Sequence, residues 1–402
     1  MFVDVVANMR MPTERAHGYQ TVKFCEALSQ EGARVRLIVP FRFSMPETRE
    51  IHDLYEYYGI QRNFRIVRLP SLDLVSPLAR RVPERIAQIL SAIQTWTFSI
   101  AVALFQIISR KGVLYTRDAP VLLATLLLPR WFRRRTYFEA HQALPRSLQW
   151  VGKFWSRADG LFPISQGLRQ YMEDQSLFAG VPVTILHDAV DLDPYENLPE
   201  STIARQERAL PEKATLALYA GHLFEWKGVY TFGLALRQTP EITGIFVGGT
   251  ERDRSDFEKF LREEQISNAV CIGHVPPPEV AFYLAAADVV VLPTSGKDRI
   301  GREFTSPLKL FEYMAARRPI VASDLPSLRE ILVTGKNAIL VPPDDPDALA
   351  RGLQEIIQKP ELATKIASQA RKDVDAHTWR KRAQRALDAM QHAPHENRHS
   401  GE

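Results

Sequence analysis

The stretch "SPLKLFEYMAARRPIVASDLPSLREIL" (residues 306–332) places a carboxylate, Glu312, on a largely apolar run of helical period. A Ser-Pro break precedes this run, and the short β-branched segment "PIVASD" (319–324) follows it. A helix that leads directly into a buried strand is the repeating element of parallel α/β sheets. The stretch therefore predicts an α/β fold and raises the question of what Glu312 binds.

The same alternation of short β-branched runs and longer amphipathic runs continues along the chain, as in parallel βαβ units. A helix that ends at Gly32 separates the first two runs. The predicted strands of the first half are 3–7, 34–40, 64–70, 113–117, 136–140, 160–165 and 183–188. Those of the second half are 215–221, 244–249, 269–274, 289–295, 319–324 and 338–343. Two such blocks predict two facing Rossmann-like domains, with a cleft at the carboxyl ends of their strands.

The domain boundary is indicated by a segment rich in proline and acidic residues, 191–202. A chain of 402 residues is too long for one ordinary core, so two domains are expected. We predict a first domain over 1–187, which the last helix (about 378–392) rejoins, and a second domain over 188–377. Residues 393–402 have nothing to bury and are predicted to be disordered.

The composition excludes several classes of protein. The chain is 45% hydrophobic and 24% charged, which is typical of globular proteins, and its net charge of +4 is small for a nucleic-acid binder. Cys25 and Cys271 are isolated, so neither a disulfide framework nor a zinc site is expected. Together with the absence of a signal-peptide pattern at the start, this favours a cytoplasmic location.

One uncharged segment, residues 86–109, is long enough to span a bilayer. Four polar residues recur along it at helical spacing: Gln88, Ser91, Thr95 and Ser99. This stripe favours a helix buried among others over a transmembrane span. "WFRRR" (131–135) combines aromatic rings with arginines suited to anionic headgroups, although a solvated basic turn has the same composition. Peripheral contact with the inner face of the cell membrane is therefore the expectation.

Several common motifs are missing from the sequence: the dinucleotide fingerprint, the P-loop and the Gly-x-Ser-x-Gly elbow. Two Asp-x-Asp pairs, Asp191–Asp193 and Asp345–Asp347, lie in the linker and in a proline-rich turn. We therefore expect no metal site and no resident cofactor.

Positive charge stands at a strand-to-helix loop in "YAGHLFEWKG", where Gly221 and His222 follow a strand and Lys227 precedes a helix starting near Gly228. Backbone N–H groups, the helix dipole and the lysine would all face the same anion, which suits a phosphate. A merely solvated lysine is the alternative.

Two further residues have a possible role at strand or helix ends. Glu312 could accept hydrogen bonds from ribose hydroxyls while the N–H groups of Ser306 and Leu308 face a diphosphate. The alternative for Glu312 is an acidic residue favoured by the helix dipole. His141, in "YFEAHQ", follows a strand where α/β folds place functional side chains, although a structural histidine is also possible there.

Several segments resemble, in order and spacing, the family-4 retaining glycosyltransferases, which have the GT-B fold. They are "MPTERAHGYQTVKFCEAL" (11–28), "FPISQGLRQYM" (162–172), "ILHDAVDLDPY" (185–195), "AGHLFEWKG" (220–228), "FVGG" (246–249) with "VCIGHVPPPEVAFYLAAADVVVLPTS" (270–295), and the stretch 306–332. The resemblance covers nearly the whole chain.

The resemblance implies a UDP- or GDP-linked sugar donor held by the second domain and a glycan or lipid-linked acceptor facing the first, without metal. It assigns donor contacts to Gly18, Gly221, His222, Lys227, Val275, Ser306, Leu308 and Glu312, and catalytic roles to His141, Lys227 and Glu303. Lys227 would neutralise the departing diphosphate and Glu312 would hold the ribose. Val275 would border the base, Gly18 would allow close approach of the N-terminal loop to the phosphates, and His141 would lie beside the sugar.

The sequence departs from the family pattern at three places. His222 stands where the family has a phosphate-binding arginine. Phe304 occupies the position of the first signature glutamate, with Glu303 one place early. Either a local bulge brings Glu303 into the sugar pocket or the pocket lacks that carboxylate. Pro307 has no N–H to donate where a glycine is usual.

The main interpretation is a retaining glycosyltransferase in cell-surface polysaccharide or glycolipid assembly. Two alternatives remain open. One is a nucleotide-sugar epimerase on the same fold, and the other is a catalytically weak subunit that binds a nucleotide sugar or a glycan. The departures at 222 and 304 favour the latter alternative.

Overall fold

The structure, a computed structural model, describes residues 1–13, 16–42, 51, 53–74, 83–143 and 152–392. The predicted disorder of 393–402 concerns residues outside these ranges. The chain forms two compact units. Unit 1 contains Met1–Ile164, Leu168–Leu186 and the chain from Trp379 onward, and unit 2 contains Ser165–Gly167 and His187–Thr378. The main boundaries thus fall one residue from the predicted 187/188 and 377/378.

Unit 1 is built on a six-stranded parallel sheet of order β3-β2-β1-β4-β5-β6. Its strands are β1 (Phe2–Val6), β2 (Arg34–Pro40), β3 (Arg65–Leu69), β4 (Val113–Thr116), β5 (Thr136–Ala140) and β6 (Gly160–Pro163). The strand order reverses between β1 and β4, the position at which doubly wound folds bind ligands.

Unit 2 repeats this arrangement with the order β12-β11-β10-β7-β8-β9, again all parallel. Its strands are β7 (Thr215–Ala220), β8 (Ile242–Val247), β9 (Ala269–Gly273), β10 (Val289–Leu292), β11 (Ile320–Ser323) and β12 (Ile339–Val341). The reversal lies between β7 and β10. Two Rossmann-type sheets in one chain confirm the predicted α/β class.

Helices connect successive strands. Those that begin before residue 200 are α1 (Ala16–Gln30), α2 (Leu54–Tyr58), α3 (Glu84–Ile108), α4 (Ala119–Leu126), α5 (Gly152–Trp155), α6 (Gln166–Asp174) and α7 (Asp193–Glu196). The later ones are α8 (Ser201–Glu207), α9 (Val229–Arg237), α10 (Glu251–Glu263), α11 (Pro277–Ala286), α12 (Leu308–Ala315), α13 (Pro326–Arg329), α14 (Pro346–Gln358), α15 (Pro360–Asp373) and α16 (Trp379–His392). The central strands β5 and β10 are buried at every position, as expected for parallel strands covered on both faces.

One predicted strand is wrong. Residues 183–188 do not form a seventh strand, because Val183 makes only an isolated bridge to Leu161. The Leu186 N–H also donates to the Pro163 carbonyl at 3.0 Å, but Pro163 has no N–H with which to continue a ladder. Helices α15 and α16 are separate, and the last helix begins at Trp379, one residue after the predicted 378. The chain turns there because His377 and Thr378 leave the helix, the His377 carbonyl accepting a hydrogen bond from the Val190 N–H at 3.0 Å.

The expectation that residues 86–109 form a helix buried among others is also wrong. The helix forms as α3, but 33% of the residues in its most apolar window are buried. Gln88 and Ser91 of the polar stripe are exposed, whereas Ser99 is buried. In "WFRRR", Arg134 is buried and pairs with Asp4 at 2.7 Å, so this arginine does not face outward.

Candidate functional site

Gly221 ends β7 at the strand-order reversal of unit 2. Its φ is +143°, a backbone conformation that residues other than glycine rarely adopt. Its N–H donates to the Val247 carbonyl at 2.7 Å. A Cβ added to Gly221 would lie 2.3 Å from Nζ of Lys309. The missing side chain therefore makes room for a lysine on α12.

Lys309 is the most enclosed cation of this region. Its Nζ donates to the Tyr219 hydroxyl at 2.7 Å and lies 4.0 Å from the centre of that ring. The Tyr219 hydroxyl in turn donates to the His222 carbonyl at 2.7 Å. Desolvation, followed by the charge of Lys227, brings the pKa of Lys309 well below its ordinary value. The positive charge of an ammonium group that is desolvated and repelled by a second lysine is stabilised when an anion binds beside it.

Lys227 ends the 3₁₀ turn Glu225–Lys227, directly before α9. Its Nζ lies 3.7 Å from the centre of the Trp226 ring. Desolvation lowers the pKa of Lys227 to about 8. Gly228 makes the turn into the helix at φ +74°, where a Cβ would collide with the Pro293 carbonyl oxygen at 1.7 Å. The helix start thus lies where the sequence placed it.

Glu312 lies in the second turn of α12, three residues after Lys309. Desolvation raises the pKa of its carboxyl group to about 7, and the charge of Lys309 only partly opposes this. Within the described residues its carboxylate accepts no hydrogen bond. A helix dipole would lower the pKa of an acid in the first turn, so the dipole does not account for this position.

The start of α12 combines a backbone donor with a structural hydroxyl. Leu308 is the first helical residue, and its N–H has no acceptor within the helix for geometric reasons. The Ser306 hydroxyl is buried and accepts a hydrogen bond from the Asp188 N–H at 2.9 Å. Pro307 between them is the N-cap. A donor contact to the Ser306 or Leu308 N–H therefore stays a prediction.

His222 and Val275 border the same carboxyl-end edge of the sheet. The exposed His222 ring stacks on Phe224, with 4.9 Å between ring centres. Desolvation and then the charge of Lys309 lower the pKa of His222, which favours the neutral ring. Val275 follows β9 and packs, half-buried, on the core of unit 2.

Glu303 lies in a π-helical turn, Ile300–Phe304. Such turns hold one extra residue, so the local bulge exists. The Glu303 carboxylate, however, pairs with Arg299 at 2.7 Å and with Arg302 at 2.8 Å. Hydrogen bonds from these arginines lower the pKa of Glu303. Phe304 is buried in the position where the family pattern has a carboxylate.

His141 lies just after β5 in unit 1, near the reversal of that sheet. Its Nε2 contacts Oε1 of the buried Glu139, and its Nδ1 lies 3.1 Å from a nitrogen of Arg117. Glu139 also pairs with Arg382 of α16 at 2.9 Å. Desolvation, then the charge of Arg117, lowers the pKa of His141 to about 4. The ring is therefore neutral at pH 7.

Gly18 lies inside α1 rather than in a loop. A Cβ there would come within 2.3 Å of the Thr13 side chain and 2.9 Å of the Tyr58 hydroxyl. That hydroxyl accepts from the Thr13 N–H at 2.8 Å. The close approach that Gly18 permits is thus to the protein's own chain, and its contact with a donor stays a prediction.

Comparison with known proteins adds a family. Residues 200–373 match the model described as glycosyl transferases group 1. The matched segment lies within unit 2 and is here called the group 1 domain.

The curated relatives match about half of this chain in sequence. A phosphatidyl-myo-inositol mannosyltransferase from Mycolicibacterium smegmatis is 28% identical over 208 residues, which cover 50% of this chain and 47% of that protein. The chain thus spans about half the length of the curated relatives it matches.

Among solved structures, sucrose-phosphate synthase from Thermosynechococcus elongatus superposes with a TM-score of 0.76 at 19% identity, over 97% of this chain and 98% of that one. Anabaena Alr3699/HepE, solved in complex with UDP and glucose, has a TM-score of 0.69 at 17% identity, over 97% and 99%. The fold predicted from the resemblance, GT-B, is confirmed by these neighbours.

Sequence reasoning missed several polar residues around these positions. In the group 1 domain they are Lys309 and Tyr219, and in unit 1 they are Glu139, Arg117 and Arg382. A signal existed for Lys309, because residues three apart share a helix face and Lys309 precedes Glu312 by three. Tyr219 lies two residues before Gly221, and Glu139 lies two residues before His141. Both are on strands, and the sequence did not show which face of the sheet their side chains occupy. No sequence signal joins Arg382 to Glu139.

Among the residues with described positions, no group of three or more His, Cys, Asp or Glu side chains could hold an ion. Of the two Asp-x-Asp pairs, Asp345 is the N-cap of α14, where its carboxylate accepts from the Ala348 N–H at 2.9 Å.

Proposed function

We propose that the protein is a retaining glycosyltransferase that transfers a sugar from a nucleoside-diphosphate donor, UDP- or GDP-linked, to a hydroxyl group of a glycan or lipid-linked acceptor. The observation that carries the proposal is the group of Lys309, Lys227 and Glu312 in a group 1 domain. It combines two lysines of depressed pKa with a carboxylate to which none of the described residues donates a hydrogen bond. A nucleoside diphosphate supplies both missing partners, anionic oxygens and vicinal hydroxyls.

The chemistry follows from this charge distribution. As the sugar–phosphate bond breaks, negative charge grows on the diphosphate, and preorganised cations stabilise that charge most strongly. Lys309 and Lys227 would hold the departing diphosphate, aided by the N–H groups at the start of α12. Glu312, when ionised, would accept hydrogen bonds from the ribose. Since both lysines provide the charge that a metal would otherwise supply, we propose metal-independent transfer.

His141 is proposed to lie beside the donor sugar. With its pKa at about 4 the ring is neutral at pH 7, so its Nε2 can donate to Glu139 while its Nδ1 accepts from Arg117. Glu139 and Arg117 fix the ring orientation. We assign His141 to positioning of the sugar rather than to proton transfer.

Acceptor class and location are also proposals. The M. smegmatis relative is named a phosphatidyl-myo-inositol mannosyltransferase, which supports a role in cell-surface polysaccharide or glycolipid assembly on the cytoplasmic side of the membrane. The HepE neighbour was solved with UDP, which supports testing UDP donors first.

The first test is thermal stabilisation by UDP, GDP and ADP, with Glu312→Ala and the matched control Glu263→Ala, an exposed helical acid of α10. A nucleotide present at a hundred times its Kd adds about 2.7 kcal/mol to stability. We expect one nucleotide to stabilise the wild type and the control but not Glu312→Ala. Stabilisation of all three proteins alike would refute the role of Glu312.

Transfer is tested by incubating the stabilising nucleotide's sugar conjugates with lipid and glycan acceptors, with and without a chelator. We expect a product that keeps the anomeric configuration of the donor, as measured by NMR, and that also forms in the presence of the chelator. An inverted product, or one lost on chelation, would contradict the proposed mechanism.

A second candidate, a binding subunit with little catalysis, is favoured by the Glu303 carboxylate, which two arginines already occupy. It predicts nucleotide-sugar binding without product. Glu303→Gln separates the two functions, because it would lower turnover only if Glu303 acts on the sugar.

A further inference from the structure

Helix α3 exposes a row of large apolar side chains. They are Ile86, Ile89, Ile93, Trp96, Ile100, Leu104 and Ile108, here called the α3 stripe. Because they recur every three or four residues, they lie on one face of the helix. The stripe runs for about 33 Å at 1.5 Å per residue. Ile100 is 54% exposed and Ile108 is 83% exposed, so the described residues leave this face uncovered.

The opposite face of α3 is packed on the sheet of unit 1 and combines apolar residues with buried glutamines. Phe98 and Val102 join the core beside β1 and β2. Gln94 is buried and donates to Asn8 at 3.0 Å, and Gln106 is buried and donates to Thr125 at 2.8 Å. The water-facing side of a helix that packs on a core is ordinarily polar. The exposed apolar stripe is therefore not explained by the fold of unit 1.

A basic and aromatic surface adjoins the C-terminal end of the stripe. Trp131 is 77% exposed, and the Arg110 guanidinium lies 5.6 Å from the ring of its neighbour Phe132, which joins the two segments. Arg110, Lys111 and Arg130 are exposed, and we call these three residues the basic rim. In the described part of the chain none of the three forms an ion pair.

We propose that the α3 stripe and the basic rim dock the protein on an anionic lipid bilayer, with α3 lying in the plane of the membrane surface. Interfacial helices insert one apolar face between the headgroups while arginine and lysine at the edge meet lipid phosphates. Tryptophan prefers the same depth, as its ring is part apolar and part polar. Although α3 is long and apolar enough to cross a membrane, its packed face holds it along the sheet.

The charge distribution favours lipid over a second copy of the chain. A partner copy packed antiparallel along α3 would bring one carboxylate, Glu84, which is followed by Arg85, to the three cations of the basic rim. Lipid phosphates can neutralise all three. The proposal goes beyond the proposed function, because it holds whatever sugar is transferred.

The test is flotation of the full chain with phosphatidylcholine vesicles, with and without phosphatidylglycerol. The stripe variant is Ile93→Gln/Ile100→Gln/Leu104→Gln, and its control is Ile203→Gln, an equally exposed isoleucine of unit 2 at 48%. We expect the stripe variant to lose at least about tenfold in partition onto phosphatidylglycerol vesicles, since each substitution removes apolar surface from the interface. The control should match the wild type.

The charge contribution is measured with Arg110→Gln, Lys111→Gln and Arg130→Gln, against the exposed Lys365→Gln of unit 2. Each rim substitution should lower partition about fivefold at low salt, and high salt should remove the difference. Blue-shifted fluorescence that disappears in Trp131→Phe would place that ring in the interface.

Two results would overturn the proposal. One is equal flotation of the wild type and the stripe variant. The other is a wild type that does not float but sediments as a dimer, which the stripe variant converts to a monomer; the surface would then be an interface between copies. Nucleotide-induced stabilisation should be the same in the stripe variant and the wild type, which keeps this test separate from that of the donor site.

Discussion

The charged groups at the strand ends of the two units each comprise two cations and one carboxylate, but they differ in whether the carboxylate contacts its cations. We call a group balanced where it does. In unit 1, Glu139 is surrounded by Arg382, Arg117 and His141, and each of them contacts it. In unit 2, two lysines of depressed pKa stand near a carboxylate without a hydrogen-bond donor among the described residues. A balanced buried network holds a fold together, whereas an unbalanced one costs stability until a ligand completes it. The comparison supports a structural role for the group in unit 1 and the proposed anion binding by the group in unit 2.

The largest expected effect concerns the balanced network. Glu139→Gln removes the carboxylate and leaves Arg382 and Arg117 buried without their counter-charge. We expect a loss of about 3–5 kcal/mol in the free energy of unfolding of unit 1, the usual cost of breaking a buried ion pair from one side. Denaturant titration followed by hydrogen exchange of unit 1 amides measures it.

The matched control is Glu31→Gln. Glu31 pairs with Arg380 at 2.7 Å, but that arginine is largely exposed, so the loss should be under about 1 kcal/mol. Equal losses for Glu139→Gln and Glu31→Gln would show that the Glu139 network is not what stabilises unit 1.

The next effect concerns the unbalanced group. Lys309→Met should weaken nucleotide binding about 100-fold, because a charge-assisted contact in an enclosed site contributes roughly 2–3 kcal/mol. The same substitution should raise the melting temperature of the free protein, since it removes a poorly solvated ammonium. Calorimetric titration with the stabilising nucleotide measures the first change and thermal unfolding the second.

Lys259→Met, on the exposed face of α10, serves as the control and should change neither quantity. A Lys309→Met protein that binds normally would mean that Tyr219, not an anion, is the partner for which this lysine is placed.

The two units should also respond to pH with opposite sign. His141 has a pKa of about 4 in the folded state and 6.5 ordinarily, so the unfolded chain binds more protons between these values. Its contribution to stability therefore rises as pH increases from 4 to 6.5. Glu312 has a folded pKa of about 7 against 4.5, so its contribution falls as pH increases from 4.5 to 7.

Each slope should amount to about 1–3 kcal/mol over its window. Hydrogen exchange of the amides measures the stability of each unit as a function of pH. His141→Gln should reduce the rise in the stability of unit 1, and Glu312→Gln should reduce the fall in the stability of unit 2. Slopes of the same sign in both units would break the comparison.

The smallest effect is the pH dependence of nucleotide affinity. Lys227 has a pKa of about 8 in the free protein, and a bound diphosphate would raise it, so binding takes up a proton above that pH. We expect affinity to fall by up to about tenfold for each pH unit above 8. Lys227→Gln should bind more weakly and lose this dependence, and a wild type with constant affinity from pH 7 to 9 would contradict the role of Lys227.

Much of the fold could be predicted from the sequence. The strands at 34–40 and 136–140 have the predicted bounds, and the others of the two sheets begin or end within a few residues of theirs. Strand position is encoded locally, by β-branched runs between turn residues. The prediction for 183–188 failed because its composition suits a strand, whereas beside β6 it forms only the bridge at Val183 and one hydrogen bond from the Leu186 N–H to Pro163, which has no N–H to extend a ladder.

The candidate site was predictable in part. Gly221, Lys227 and Glu312 lie at strand or helix ends, which the sequence marks, and the structure places all three in unit 2 around the end of β7 and on α12. Lys309 was missed because a lysine on an amphipathic helix is usually solvated. Its burial depends on Gly221 and Tyr219, which are about ninety residues away in the chain.

The sequence alone therefore determined most of the helices and strands, their arrangement as parallel sheets in two domains, and the family motifs. These features depend on residues that are neighbours in the chain. Tertiary structure decided which charges are balanced and which helix face is covered. Arg382 contacts Glu139 because α16 returns to unit 1. Gln94 and Gln106 of α3 face inward because Asn8 and Thr125 accept their hydrogen bonds there. The energy of a buried polar group depends on partners brought by the fold, and no local pattern contains them.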